Sequence, residues 1–92
     1  MQCFDWNAEK NQQLKLARGI TFDEIVLAIV NGHVQDVIEH PNQQQYPGQM
    51  IYVIEIDNYI YLVPFVQEGE SFFLKTIIPS RKATKQYLRR NT

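Results

Sequence analysis

The sequence predicts an α+β fold: two N-terminal helices, an antiparallel β meander of about four strands, a short N-terminal edge strand and a C-terminal helix. Three observations predict it. Before Gly32, Phe22, Ile25, Val26, Ile29 and Val30 recur at the three- and four-residue spacing of a helix face. After it, β-branched and aromatic residues alternate with period two between turn-forming segments. Beyond Pro79, Ser80 can cap one more helix. Helices followed by strands are expected to pack on one face of an antiparallel sheet.

Each element has a local reason. Cys3 to Trp6 is short and apolar enough to pair at a sheet edge. Asn7 is an N-cap residue, and Gly19 follows Arg18 as a helix-ending glycine does. Thr21-Phe22-Asp23-Glu24 has the form of a capping box, and Asn31-Gly32 ends the second helix. In the strand that follows, strict alternation puts Val34, Asp36, Ile38 and His40 on one face. Pro41 to Gly48 reads as an exposed polar loop. Met50 to Ile56 and Tyr59 to Val66 form a hairpin across Asp57-Asn58, a pair suited to a two-residue turn. Gln67 to Glu70 turns the chain into a last long strand, Phe72 to Ile78, and the final helix runs from Arg81 to Arg90. Ile51, Val53, Ile60, Leu62, Phe72, Leu74 and Ile78 are core candidates. A one-residue slip of register exchanges the two faces, so either set can lie under the helices.

Size and composition narrow the class. A chain of 92 residues with 45% hydrophobic and 21% charged residues makes one domain of ordinary globular type, 1–92. The lone Cys3 forms no internal disulfide, there is no metal-spaced Cys/His cluster, and no secretory signal is recognisable. Apolar runs fall short of the about 20 residues of a membrane span. The expected place is the cytoplasm, with no cofactor and no membrane partner.

Charge is unevenly placed. Lys75, Arg81, Lys82, Lys85, Arg89 and Arg90 lie after Ser71, where there is no acid. The first seventy residues carry all 10 acids and three of the 9 bases, a net −7 against +6. Such a tail suits an anionic partner, although exposed bases also solvate a helix or favour its C-terminal carbonyls.

Two blocks carry a family resemblance. Phe4, Trp6, Asn7 and Lys10, then Gly19, Ile20, Thr21, Phe22 and Glu24, resemble the opening of BrnT-type toxins of bacterial type II toxin–antitoxin operons. Ile77, Ile78, Arg81, Lys82, Ala83 and Thr84 resemble their ending. The resemblance spans nearly the whole chain and implies a RelE-like fold, a ribonuclease activity that inhibits translation, and a ribbon-helix-helix antitoxin as partner, with DNA met only through that antitoxin. Three positions depart from the family pattern: Arg18 replaces a His, Thr76 an Arg, and Pro79 a Ser. Positions 75 and 76 are neighbours in the expected strand and face opposite ways, so Lys75 does not stand in for the missing arginine.

The residues can be weighed against that chemistry. Attack of a 2′-hydroxyl on phosphorus needs a base, cationic stabilisation of the pentavalent phosphate and a proton for the leaving oxygen. Arg81 and Lys82 at a helix start, with Lys75 nearby, supply cations; His40 or His33 can serve as the base, although both also read as exposed loop histidines. Lys85, Tyr87, Arg89 and Arg90 extend the surface for RNA or a protein partner, though Tyr87 also suits anchoring the helix to the sheet. Tyr52, Tyr59, Tyr61 and Phe65 form either a base-stacking platform or packed hairpin pairs. Trp6 suits a core anchor, and Cys3 lacks the basic neighbour of a reactive thiol. Two functions fit: an RNA-cleaving toxin, or a catalytically silent module that binds the antitoxin and shapes operon autoregulation. A small-molecule enzyme has no phosphate loop, carboxylate pair or nucleophile elbow to support it.

Overall fold

Asn7 opens the first helix two residues after the first strand ends. The computed structural model of the chain describes residues 3–88. Strand β1 (Cys3–Asp5) leads to Asn7, whose side chain accepts the Lys10 amide at 3.0 Å and caps helix α1 (Ala8–Arg18). Gly19 closes that helix at φ 68°, a left-handed conformation that an L-residue enters at a cost. Thr21 then accepts the Glu24 amide at 3.3 Å and opens helix α2 (Phe22–Val30). The Asn11 side chain accepts the Phe22 amide at 2.8 Å, tying the two helix starts together. Trp6 stacks on Phe22 with ring centroids 5.7 Å apart, the anchoring role expected of it.

Strands β2 (Val34–Glu39), β3 (Met50–Ile56), β4 (Tyr59–Glu68) and β5 (Ser71–Leu74) form the meander, and a two-residue strand β6 (Ile78–Pro79) follows. The sheet order is β1-β5-β4-β3-β2, with β6 also on β4. All pairs are antiparallel except β1 with β5, which is parallel. The β3–β4 turn holds Asp57 at φ 52° and Asn58 at φ 63°, the two positive angles of the tight hairpin turn that twisted strands favour.

Helices cover both faces of the sheet, not one. Directly paired residues share a face, so Tyr52 and Ile54 of β3 join Val63 and Phe65 of β4 beneath Leu14, Phe22, Ile25 and Ala28 of α1 and α2. On the opposite face Val53, Ile60 and Leu62 pack against Ala83, Tyr87 and Leu88 of helix α3 (Arg81–Leu88). The expected core set therefore divides: Val53, Ile60 and Leu62 lie under α3, while Leu74 and Phe72 belong to the α1–α2 core. Ile78 is 41% exposed, and Ile77 is fully buried in its place.

Two departures from regular alternation explain the differences. A bulge between Val34 and Asp36 turns Val34 into the α1–α2 core, and leaves Asp36 and Ile38 paired with Val53 and Ile51 on the α3 face. The expected strand from Phe72 to Ile78 is also broken, at residues 75–77. Pro64 is the cause. Its carbonyl accepts the Lys75 amide at 2.8 Å, but the same edge of β4 has no N–H to return, so the ladder lapses until Ile78 pairs with Leu62. Arg18 at the end of α1 donates from Nη1 to the Ile77 carbonyl at 2.6 Å, fastening the break from the other side.

The ladder ends at Ile60, where α3 begins. Ser80 donates its amide to the Ile60 carbonyl at 3.0 Å and caps α3 through its hydroxyl, which accepts the Ala83 amide at 3.0 Å. The Ile60 amide is taken by the Thr84 hydroxyl at 2.9 Å, so a helix side chain replaces the missing strand partner. Among the described residues no helix is long and apolar enough to cross a membrane.

Candidate functional site

The α3 face of the sheet is only partly covered. Helix α3 lies over Val53, Ile60 and Leu62. Beyond it the strands leave a groove of about 390 Å³ lined by His40, Tyr46, Gln49, Pro64, Lys75, Thr76 and Ile78. The floor is Pro64. One wall is the strand break at Lys75 and Thr76, and the other is the loop between β2 and β3.

The break has a consequence for the missing arginine. Residues 75–77 are not strand, so alternation does not apply and Lys75 and Thr76 line the same groove. The expectation that Lys75 must face away from position 76 is corrected by Pro64, which a strand reading of 72–78 left out of account. Lys75 is exposed, and its ammonium lies 5.3 Å from the Phe73 ring centroid, a cation–π contact on the same face.

The loop wall is wired by its own side chains. Asn42 accepts the Gln45 amide at 3.1 Å, and its backbone carbonyl accepts the Tyr46 amide at 2.9 Å. Gln43 donates to the carbonyls of His40 (2.9 Å) and Gln49 (3.0 Å) while accepting the Gly48 amide at 3.1 Å, which joins both stems of the loop. The result holds Tyr46 against His40 with ring centroids 4.5 Å apart. The Asn42 amide donates to His40 Nδ1 at 3.0 Å. A neutral imidazole that accepts at Nδ1 carries its proton on Nε2, so His40 offers a hydrogen-bond donor there.

The other candidates fall around this groove. Lys82 lines an adjoining depression of about 200 Å³ between α3 and the sheet, with Ile38, Leu62 and Gln86 among its neighbours. Arg81 and Lys85 are exposed one turn apart on α3. Lys75 sits beside Pro64 and the start of α3 beside Ile60, roughly 13 Å apart along β4, so Lys75 and Lys82 line two depressions rather than one cluster, and Arg81 and Lys85 line neither. Tyr87 is half-buried and donates its hydroxyl to Asp36 at 3.0 Å, which makes it an anchor of α3. Arg89 and Arg90 lie outside the described residues.

His33 lies far from the groove. It stands beside Glu55 at the hairpin end of β3, whereas His40 bonds Gln49 at the other end, about 20 Å away. There it borders a separate cleft of about 220 Å³ with Glu24, Leu27 and Asp57. Tyr52, Tyr59, Tyr61 and Phe65 pack as hairpin pairs rather than as one exposed platform: Tyr52 is buried and stacked on Phe65 at 4.1 Å, and Tyr59 meets Tyr61 edge-on at 5.8 Å. Burial raises the Tyr52 pKa; burial, with Asp57, Tyr59 and Glu24 nearby, raises that of Tyr61.

No family model, curated protein or solved structure matches this chain. Its function is to be read from its own surface. Tyr46 and Gln49 join that surface without any sequence motif to mark them, although an aromatic residue inside a loop rich in Asn and Gln, between two prolines, is a local signal of a preformed turn.

Proposed function

We propose that the chain is the toxin of a bacterial type II toxin–antitoxin pair, a metal-independent endoribonuclease with the RelE-like fold its sequence suggests. It acts on RNA in the cytoplasm, and a ribbon-helix-helix antitoxin silences it by covering the α3 face and supplies any contact with DNA. One observation carries the reading: His40 and the Lys75–Thr76 pair, 35 positions later, line one groove whose lining includes no carboxylate. A phosphodiester there meets the Lys75 ammonium and the His40 Nε2–H, with Lys82 and Arg81 along the same face. In cleavage the 2′-oxygen bonds to phosphorus and the bond to the 5′-oxygen breaks; solvent takes the 2′-hydroxyl proton and returns one to the leaving oxygen, while the Lys75 ammonium and the His40 Nε2–H hydrogen-bond the pentavalent phosphate.

The second reading, a catalytically silent antitoxin-binding module, is favoured by a different observation. Ile38 and Ile78 expose 36% and 41% of their surface beside the groove, and Thr76 stands where the resembled family carries arginine. Expression without a partner separates the two. The ribonuclease arrests growth and cleaves RNA in the presence of a chelator, and Arg81→Ala lowers the rate about 10²-fold. A chain harmless in cells and inert on RNA, yet tightly bound to its neighbouring gene product, is the binding module. In that event Thr76→Arg tests whether the lost guanidinium is the reason.

A further inference from the structure

We propose that the groove between the 41–48 loop and the Lys75–Thr76 break is a subsite for one unstacked nucleotide of single-stranded RNA, with the base against Tyr46 and its phosphate at Lys75 and Thr76. The proposal rests on the ribonuclease reading and goes further, by naming which part of the α3 face grips the substrate and which form of RNA it accepts.

Four features converge. The first is size. A volume of about 390 Å³ is at the small end of ligand pockets, enough for one nucleotide and too narrow for a duplex. The second is the preformed aromatic wall. Tyr46 is 37% exposed, yet three side-chain-built bonds from Asn42 and Gln43 and the ring contact with His40 hold the loop that carries it. An exposed ring held ready in this way suits stacking by a base that has left its own stack.

The third is unused polar capacity. Among the described residues none hydrogen-bonds the Lys75 ammonium, the Thr76 hydroxyl or the Gln49 side-chain amide, while His40 has a free Nε2–H. An ammonium, a hydroxyl and an imidazole N–H form a donor set for phosphate oxygens, and an amide that both donates and accepts suits a base edge. The fourth is charge. The lining contains a lysine and no acid, Lys82 lines the neighbouring depression under α3, and Arg81 and Lys85 are exposed on that helix.

Titrating the isotope-labelled protein with each 5′-ribonucleoside monophosphate, with inorganic phosphate, and with single-stranded and duplex oligoribonucleotides tests the assignment. Nucleotides and single strands should shift the amide signals of Tyr46, Gln49, Lys75 and Thr76. Inorganic phosphate should shift only Lys75 and Thr76, and duplex should leave Tyr46 unmoved. Tyr46→Ala should weaken single-strand affinity about tenfold, the scale of one lost base–aromatic stack, and Tyr46→Phe should keep it. Spectra of the free variants show whether the loop keeps its form; if Tyr46→Ala disorders it, the Phe variant and the direct shifts decide. RNA that is bound or cut while the groove signals stay still overturns the subsite and leaves the ribonuclease reading standing. Absence of any RNA binding or cleavage overturns both. Groove signals that respond to the antitoxin and to no nucleotide overturn the subsite in favour of protein docking.

Discussion

Replacing Thr84 by valine removes a single buried hydroxyl and little else. Thr84 is 2% exposed, and its hydroxyl accepts the Ile60 amide at 2.9 Å and donates to the Ser80 carbonyl at 2.7 Å. Valine has nearly the same shape, so no cavity opens. The Ser80 carbonyl keeps the Thr84 amide at 3.0 Å, but the Ile60 amide, at a residue with no exposed surface, is left without a partner. An orphaned buried donor costs about 1–3 kcal/mol. The expected loss is about 2 kcal/mol, a fall in Tm of about 8–16 °C for a domain of this size. Thr84→Ser keeps both bonds and loses one methyl, which costs about 1 kcal/mol. Urea unfolding followed by Trp6 fluorescence measures both variants, and hydrogen exchange at the Ile60 amide reports the bond itself. A valine variant within 0.5 kcal/mol of the parent, or one more stable than the serine variant, would refute the reasoning, because shape and not the hydroxyl would then hold α3 to the sheet.

Three further outcomes are expected. Thr21→Ala should cost about 1 kcal/mol through the lost cap on the Glu24 amide, and a melt unchanged from the parent would show that Thr21 does not cap. Asn58→Ala should cost about 1 kcal/mol because position 58 sits at φ 63°, whereas Asn58→Gly should not; equal melting temperatures for the two variants would count against a strained turn. Burial raises the Tyr52 pKa in the folded state, so its neutral form contributes stability that is fully present below the unfolded pKa near 10 and is lost as pH rises through the folded pKa. Alkaline unfolding should therefore steepen above pH about 10 and soften in Tyr52→Phe, and identical pH profiles would remove Tyr52 from the explanation.

Local chemistry was legible in the sequence and sheet-level consequences less so. Asn7, Gly19 and Thr21 act through neighbours a few residues away, and each caps where the sequence places it. The Asp57-Asn58 turn is equally local. The side on which α3 packs is not local, since it depends on how Pro79 and Ser80 leave β4, and period-two alternation alone cannot assign it. Pro64 was a visible signal with a remote effect: it keeps its own place in β4, paired with Ile51, and breaks the strand beside it. The site shows the same division. Lys75 and His40 stand out by residue type, whereas their sharing of a groove with Tyr46 and Gln49 follows from the break at 75–77 and from a loop whose hydrogen bonds no periodicity encodes.

The parallel pairing of β1 with β5 sets an order of assembly. Asp5 lies opposite Phe73, 68 positions later, while β3 and β4 meet across a two-residue turn. Closing the longer loop costs about 3 kcal/mol more chain entropy than closing the shorter one. The meander can thus form early, and β1 must wait for β5 to exist. On a ribosome that wait lasts on the order of ten seconds, during which Phe4 has no Phe72 to pair with. A nascent chain therefore carries Phe4, the partly buried residue of its first strand, without its sheet partner for longer than any other part of the sheet, and a chaperone or protease that inspects the protein would meet it there.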